Sequence, residues 1–346
     1  MSDTVSRIAP DDSEMMEQVR SLLKREDLEL DQNLDYTCGI CDEDGALIAT
    51  GSAFGETLRC FAVAPDHRGE GLLNRIVTHL TEYQAERGIY RLFVYTKSKS
   101  AKFFEDLGFF EIARVDGTLS FLENRRNGFQ RFCRALEKEK REGVSAAIVM
   151  NANPFTKGHL HLVERAAGEC DHVHLFVLSE EAGPIPAEVR WKLVQEGVSH
   201  LPNVHCHRSG PYLISSATFP SYFLRDKADA IRGHARLDLS LFGMIAKAIG
   251  VTIRYVGEEP NSLVTGLYNE IMLEELPKTG INCIEVPRLE KNGEPISAST
   301  VRRYIHDGKL EEIRTLVPES TWAYFSITEA GAVIRAIQTE EQVVHY

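Results

Sequence analysis

The stretch NANPFTKGHLHLVERAA, residues 151–167, follows the apolar run AAIVM at 146–150 and opens a segment with helical spacing. A strand that turns directly into a helix aims several backbone N–H groups and the positive end of a helix dipole at one point, which is a ready anion site. Gly158 permits close backbone approach, Thr156 adds a hydroxyl, and His159 in the first turn puts a donor beside a bound phosphate. At roughly 100° per residue His161 points elsewhere, so the two histidines are not read as a metal pair.

Downstream of this turn, short apolar runs alternate with helical patterns. Runs at 146–150, 172–178, 204–207, 251–256 and 281–286 are separated by helices from Gly158, near 188–199, at 237–249 and at 263–276. That alternation predicts βαβ units in a Rossmann-like, doubly wound parallel sheet, with ligands at the carboxyl ends of the strands. Upstream the pattern differs. Strands are predicted at 36–41 and 46–54 around a turn, then at 57–63, followed by a helix over 72–87, a strand at 90–95, a short helix at 100–107 and a strand after Gly108. This is an α+β arrangement with a largely antiparallel, mixed sheet. The expected organisation is therefore an N-terminal domain over 1–130, a basic helical linker over 131–144, and a second domain over 145–346.

Composition bounds the function. The 346 residues suit two domains at ~100–200 residues each. Hydrophobic residues at 43% and charged residues at 26% are those of a folded globular chain. With 39 Lys+Arg against 51 Asp+Glu, the net charge of -12 excludes a general binder of nucleic-acid backbones. Arg125, Arg126, Arg131, Arg134, Lys138, Lys140 and Arg141 form the densest basic stretch, read as a solvated helix face between domains. No apolar run approaches the ~18 residues of a membrane span, and the acidic, polar start is unlike a signal peptide. Seven scattered cysteines fit a reducing compartment, so a cytoplasmic protein is expected. Cys38 and Cys41 lack a second pair to complete a zinc site and read as structural. His205 and His207, with His172 or His174, read as ordinary strand histidines, and no protein-bound metal is assigned.

A second polar segment, PISASTVRRY at 295–304, places Ser297, Ser299, Arg302 and Arg303 at the start of a helix after the last predicted strand. Together with the first, it resembles the Thr-x-Gly-His and Ile-Ser-x-Ser-x-x-Arg signatures of the nucleotidyltransferase superfamily. Between them, IRYVGEEPNSLVTGLYNEIM at 253–272 gathers Glu258, Glu259, Thr265, Tyr268 and Asn269. Set after HARLDLSLFG and before the Pro-Arg and Ile-Ser-Ala-Ser segments, it resembles one branch of that superfamily, the citrate lyase ligases.

A third segment, FAVAPDHRGEGL at 61–72, follows a strand and leads into a helix; its glycines let backbone amides cradle a pyrophosphate. With KFFEDLGFFEI at 102–112 it resembles the GNAT acetyltransferases, and a GNAT-like N-terminal domain belongs to the citrate lyase ligase pattern. Val63, Arg68, Gly69 and Gly71 would then hold a CoA-like arm. Two residues depart from the GNAT pattern: Asp66 replaces the usual Gln or Arg, and Phe104 replaces the Tyr that protonates a leaving thiolate. A docking handle for the arm fits these departures better than acetyl transfer from CoA.

What the resemblance implies is ATP-dependent acetylation of the CoA-like group on the acyl carrier subunit of citrate lyase, through acetyl-adenylate formed from acetate. Thr156 and His159 would stabilise the α-phosphate, and Ser297, Ser299 and Arg302 would grip the β- and γ-phosphates with Mg²⁺. Asn153, Phe155, Gly158, Gly257, Glu258 and Thr265 would contact ATP. Three other readings stay open here: a nucleotidyltransferase of CoA-like cofactor synthesis, a GNAT acetyltransferase, and a non-catalytic nucleotide sensor.

Overall fold

The computed structural model describes residues 4–31, 34–181, 183–213, 227–259 and 263–339, apart from the side chains of 227–230 and 263–265. The chain divides into two compact units, Met1–Arg131 with Pro220–Leu237, and Phe132–Phe219 with Asp238–Tyr346.

The N-terminal unit is built from β1 (Ser6–Ile8), α1 (Ser13–Arg25), β2 (Tyr36–Cys41), β3 (Leu47–Phe54), β4 (Thr57–Val63), α2 (Leu72–Glu86), β5 (Phe93–Lys97), α3 (Ala101–Asp106), β6 (Phe110–Val115) and β7 (Leu119–Glu123). Its sheet has the order β1-β2-β3-β4-β5-β7-β6. All pairs are antiparallel except β4 with β5. β3 is buried along nearly its whole length, which requires cover on both faces, and α1 and α2 both pack against it. The β4–β5 pair is joined only at Thr57 with Phe93 and Leu58 with Val94. Beyond that point β4 bulges at Cys60, whose φ is +57°, and the two strands no longer pair. This leaves an opening in the sheet beside the start of α2.

β1, α1 and β7 were not among the predicted elements. The strand predicted at 90–95 lies at Phe93–Lys97, because Thr96 and Lys97, polar in sequence, continue the ladder with Ser120 and Leu119. A helix α4 (Gly128–Glu137) follows, and no helix spans the rest of 131–144.

The C-terminal unit contains β8 (Ser145–Met150), α5 (Lys157–Glu169), β9 (His172–Val177), α6 (Ala187–Gly197), β10 (Val204–Arg208), α7 (Lys227–Ile249) from Asp238 onward, β11 (Ile253–Gly257), α8 (Leu263–Glu275), β12 (Asn282–Val286) and α9 (Ala298–His306). The five strands are all parallel, in the order β10-β9-β8-β11-β12. The chain steps outward from β8 to β10 on one side, then from β11 to β12 on the other. The order therefore reverses between β8 and β11, and such a switch point opens a crevice at the carboxyl ends of those strands. Residues 151–158 leave β8 at that crevice. One core, around Ile148, Val163, Val173, Leu175 and Val194, lies between the sheet and its helices. A second, around Ile296, Val301, Ile305 and Phe325, fastens α9 to α10 (Leu310–Ile313), α11 (Glu319–Phe325) and α12 (Gly331–Thr339). α7 starts ten residues earlier than predicted, its polar first turns hiding the apolar stripe.

His172 and His174 on β9 meet His205 and His207 on β10, as two hydrogen-bonded ring pairs at 3.3 and 3.0 Å. Burial lowers the pKa of His174 to about 3 and of His207 to about 4. Among the described residues no group of three His, Cys, Asp or Glu is disposed to hold a metal ion. Cys38 and Cys60 are buried thiols pushed up to about 12 by desolvation.

Candidate functional site

α5 begins with a reciprocal cap. The Thr156 hydroxyl accepts the His159 N–H at 3.3 Å, and Nδ1 of His159 accepts the Thr156 N–H at 3.1 Å. With Nδ1 receiving a hydrogen, the neutral ring carries its proton on Nε2 and presents a donor there. Burial, reinforced by Arg288 and Arg302, lowers the His159 pKa to about 4. The imidazole is therefore a neutral donor at ordinary pH.

α9 begins at Ser297, whose hydroxyl accepts the Thr300 N–H at 3.0 Å and lies 2.9 Å from the Ser299 hydroxyl. A Cβ on Gly158 would come within 2.8 Å of the Ile296 carbonyl oxygen, so only glycine lets the first turn of α5 touch the backbone before Ser297. Arg302, 1% exposed, donates from Nη1 to the Asn153 carbonyl. The two signature segments thus form one structure. Both helix starts line a cleft of about 330 Å³, together with Gly257, Glu258, Glu259 and Arg288.

Thr156, Gly158, His159, Gly257, Glu258, Ser297, Ser299 and Arg302 all line this cleft. His161, expected on another face, also lines it. Asn153 and Phe155 were expected to contact ATP, but they are buried and do not line the cleft. Asn153 offers its carbonyl to Arg302. Phe155 belongs to the core, with its ring stacked at 6.0 Å from His159 and its carbonyl accepting from Thr321 at 2.9 Å. The Thr265 side chain lies outside the described residues.

Two other contributors, Arg190 and Arg288, were not singled out in the sequence. Arg190 is fully buried and donates to Asn151 O and Oδ1 at 2.8 and 2.7 Å and to the Leu178 carbonyl at 2.9 Å, fixing the turn after β8. Arg288 donates to the Glu258 carbonyl at 2.6 Å and pairs with Glu259, tying the ends of β11 and β12 together. Asn269 on α8 donates to the Gly257 carbonyl at 2.9 Å.

The N-terminal unit has its own cleft, of about 660 Å³, lined by Val63, Arg68, Gly69 and Gly71 along with Phe61, Thr96, Lys97 and Phe104. Gly69 and Gly71 have φ of +89° and +73°, in the left-handed region that favours glycine. Gly71 is the N-cap of α2 and supplies no side-chain cap, which leaves the first N–H groups of the helix for an anion. Arg68 is held by Glu26 at 2.6 Å. Phe104 is 3% exposed and packs on Phe61 at 5.2 Å; it has no proton to give.

Fold and motifs together define a two-domain chain: a GNAT-like mixed sheet followed by an all-parallel, Rossmann-like sheet in which two helix starts meet at one cleft. Residues 4–109 match the acetyltransferase (GNAT) family, and residues 145–325 match the citrate lyase ligase C-terminal domain. The citrate (pro-3S)-lyase ligase of Klebsiella pneumoniae is 37% identical over 319 residues, which span 90% of this chain and 93% of that one. The Haemophilus influenzae and Escherichia coli enzymes of the same name are 34% and 35% identical, spanning 88% and 93% of this chain and 93% and 94% of theirs. The chain belongs to the citrate lyase ligase family.

Proposed function

We propose that this chain is an ATP-dependent acid–thiol ligase. It acetylates the thiol of the CoA-like prosthetic group on the acyl carrier subunit of citrate lyase, by way of acetyl-adenylate. Besides family membership, the observation that carries this reading is the meeting of two helix N-termini and a neutral histidine on one cleft. Adenylyl transfer depends on positioning and on stabilising charge more than on a protein nucleophile.

In the first step an acetate oxygen attacks the α-phosphorus of ATP in line. The bond to the bridging oxygen of the β-phosphate breaks, and pyrophosphate leaves with that electron pair. In the second, the carrier thiolate attacks the acetyl carbonyl carbon, the carbon–oxygen bond to phosphate breaks, and AMP leaves. His159 donates from Nε2 to an α-phosphate oxygen as charge develops, and Thr156 positions His159 through the cap. The first amides of α9 and the Ser299 hydroxyl hold the β- and γ-phosphates, with Ser297 as the cap and Arg302 adding positive charge. Gly257 and Glu258 border the nucleoside. Mg²⁺ would come as part of the nucleotide substrate and would offset the charge that builds on the leaving pyrophosphate. The glycine turn before α2 takes the phosphates of the carrier's CoA-like arm, and the unpaired stretch of β4 takes its pantetheine portion.

Among the described residues no helix is long and apolar enough to cross a membrane, and the net charge of -12 disfavours nucleic acid as a partner. Incubation with ATP, Mg²⁺, acetate and the deacetylated carrier should place one hydroxylamine-labile acetyl group on the carrier and yield AMP and pyrophosphate in equal amounts. Turnover that ignores acetate and requires a phosphorylated acceptor would support cofactor synthesis instead. Acetyl-CoA consumption without ATP would support an acetyltransferase.

A further inference from the structure

Strands of a parallel sheet covered on both faces are normally near-continuous apolar runs, yet β11 carries Arg254, only 5% exposed. The neighbouring Tyr255 sends its hydroxyl to Glu169 of α5 at 2.7 Å, so by strand alternation Arg254 faces the opposite helical layer. There its guanidinium lies 4.1 Å from the ring centre of Phe242 on α7. Nε and Nη1 are buried and have no hydrogen-bond partner. Asp238, also buried, is occupied by the Tyr268 hydroxyl. A buried guanidinium with idle N–H groups is costly unless an anion completes it. Arg254 lines the same cleft as His159 and Ser299.

We propose that Arg254 recognises the acid substrate: it hydrogen-bonds the carboxylate of a short monocarboxylic acid, with the alkyl group against Val149, Val256 and Met272, which line the cleft with it. The proposal rests on the ligase reading above and names the acid half of its site. Phosphates already have the starts of α5 and α9 at the carboxyl ends of the strands, whereas Arg254 is the second residue of β11. A carboxylate held there by one oxygen keeps the other free to attack.

The test measures acetate-dependent exchange of labelled pyrophosphate into ATP for the wild type, Arg254→Met and Arg254→Lys, with thermal unfolding as the folding control. The Met variant should raise the KM for acetate on the order of 10²-fold, as expected for losing a charge-assisted hydrogen bond, and leave the KM for ATP within about twofold of wild type; Lys should recover part of the loss. An unchanged KM for acetate, or a parallel rise in the KM for ATP, would overturn the proposal while the ligase reading stood. If Met unfolds the protein, the Lys variant decides on the same criteria. Titration with ¹³C-acetate, followed by NMR, separates the two ideas. A wild type that fails to exchange but binds acetate saturably, with that binding lost in Arg254→Met, would sink the ligase reading and keep the carboxylate site. A wild type that neither exchanges nor binds acetate would reject both.

Discussion

The cleft at α2 and the cleft at α5 both set a glycine turn against the start of a helix, but they use the helix differently. At α2 the N-cap is Gly71, and no side chain takes up the first N–H groups; the walls include Phe61 and the buried Phe104. Free amides beside apolar walls suit phosphate and apolar chain, and Phe104 has no proton to offer a departing group. At α5 the Thr156 hydroxyl takes one backbone N–H, and the same capping box orients His159 in return. A backbone donor is exchanged for an aimed imidazole donor, which burial keeps neutral. Binding needs only free amides; transition-state stabilisation needs donors fixed before the reaction begins.

The strongest way to break this contrast is His159→Ala. It should lower kcat by about 10²–10³, the usual effect of losing one transition-state donor, with a normally cooperative unfolding transition. A folded, fully active variant would remove the distinction between the clefts.

pH sharpens the same point. Because His159 is depressed to about 4, the exchange rate should show no acid limb near the ordinary histidine value of about 6.5. Stability behaves otherwise. The unfolded chain gains protons on its histidines near 6.5, while His159, His174 and His207 stay neutral in the fold down to about 4, 3 and 4. Stability is therefore fully present above about 6.5 and falls as pH drops below it, by at most ~1.4 kcal/mol per pH unit for each such group. Thermal unfolding from pH 7 to pH 5 checks the sign, and a flat profile would contradict neutral burial.

At the other cleft, Gly71→Ala forces a side chain into φ of +73°, a strain of roughly 1–2 kcal/mol. It should raise the KM for carrier several-fold and leave pyrophosphate exchange unchanged. Loss of exchange to the same degree would show that the clefts are not separable. The smallest effect is expected from charge reversal at Arg125, Arg126, Arg131 and Arg134: a modest, salt-sensitive rise in the KM for carrier, with an unchanged value rejecting any role for the basic stretch.

The two helix starts that meet at one cleft were legible because glycine, a capping hydroxyl and a histidine at a strand-to-helix junction leave a local imprint. The parallel sheet was legible because its strands are apolar runs spaced by helices. Asn153 and Phe155 sit inside the same motif but serve the fold, since burial at a turn is decided by what packs over it, here α9 and the segment around Thr321. Arg190, Arg288 and Arg254 act across long sequence separations, and no local pattern announces their partners. Arg254 did leave a signal, a charge within the apolar strand 251–256. α1 also had a readable stripe in Met16, Val19, Leu22 and Leu23, though nothing in it bears on chemistry.

The most direct test of the central claim is acetate-dependent exchange of labelled pyrophosphate into ATP, with Mg²⁺ and purified protein, first without and then with the deacetylated carrier. The account predicts exchange that rises saturably with acetate and falls by about 10²–10³ in His159→Ala. No acetate-stimulated exchange under either condition would contradict it.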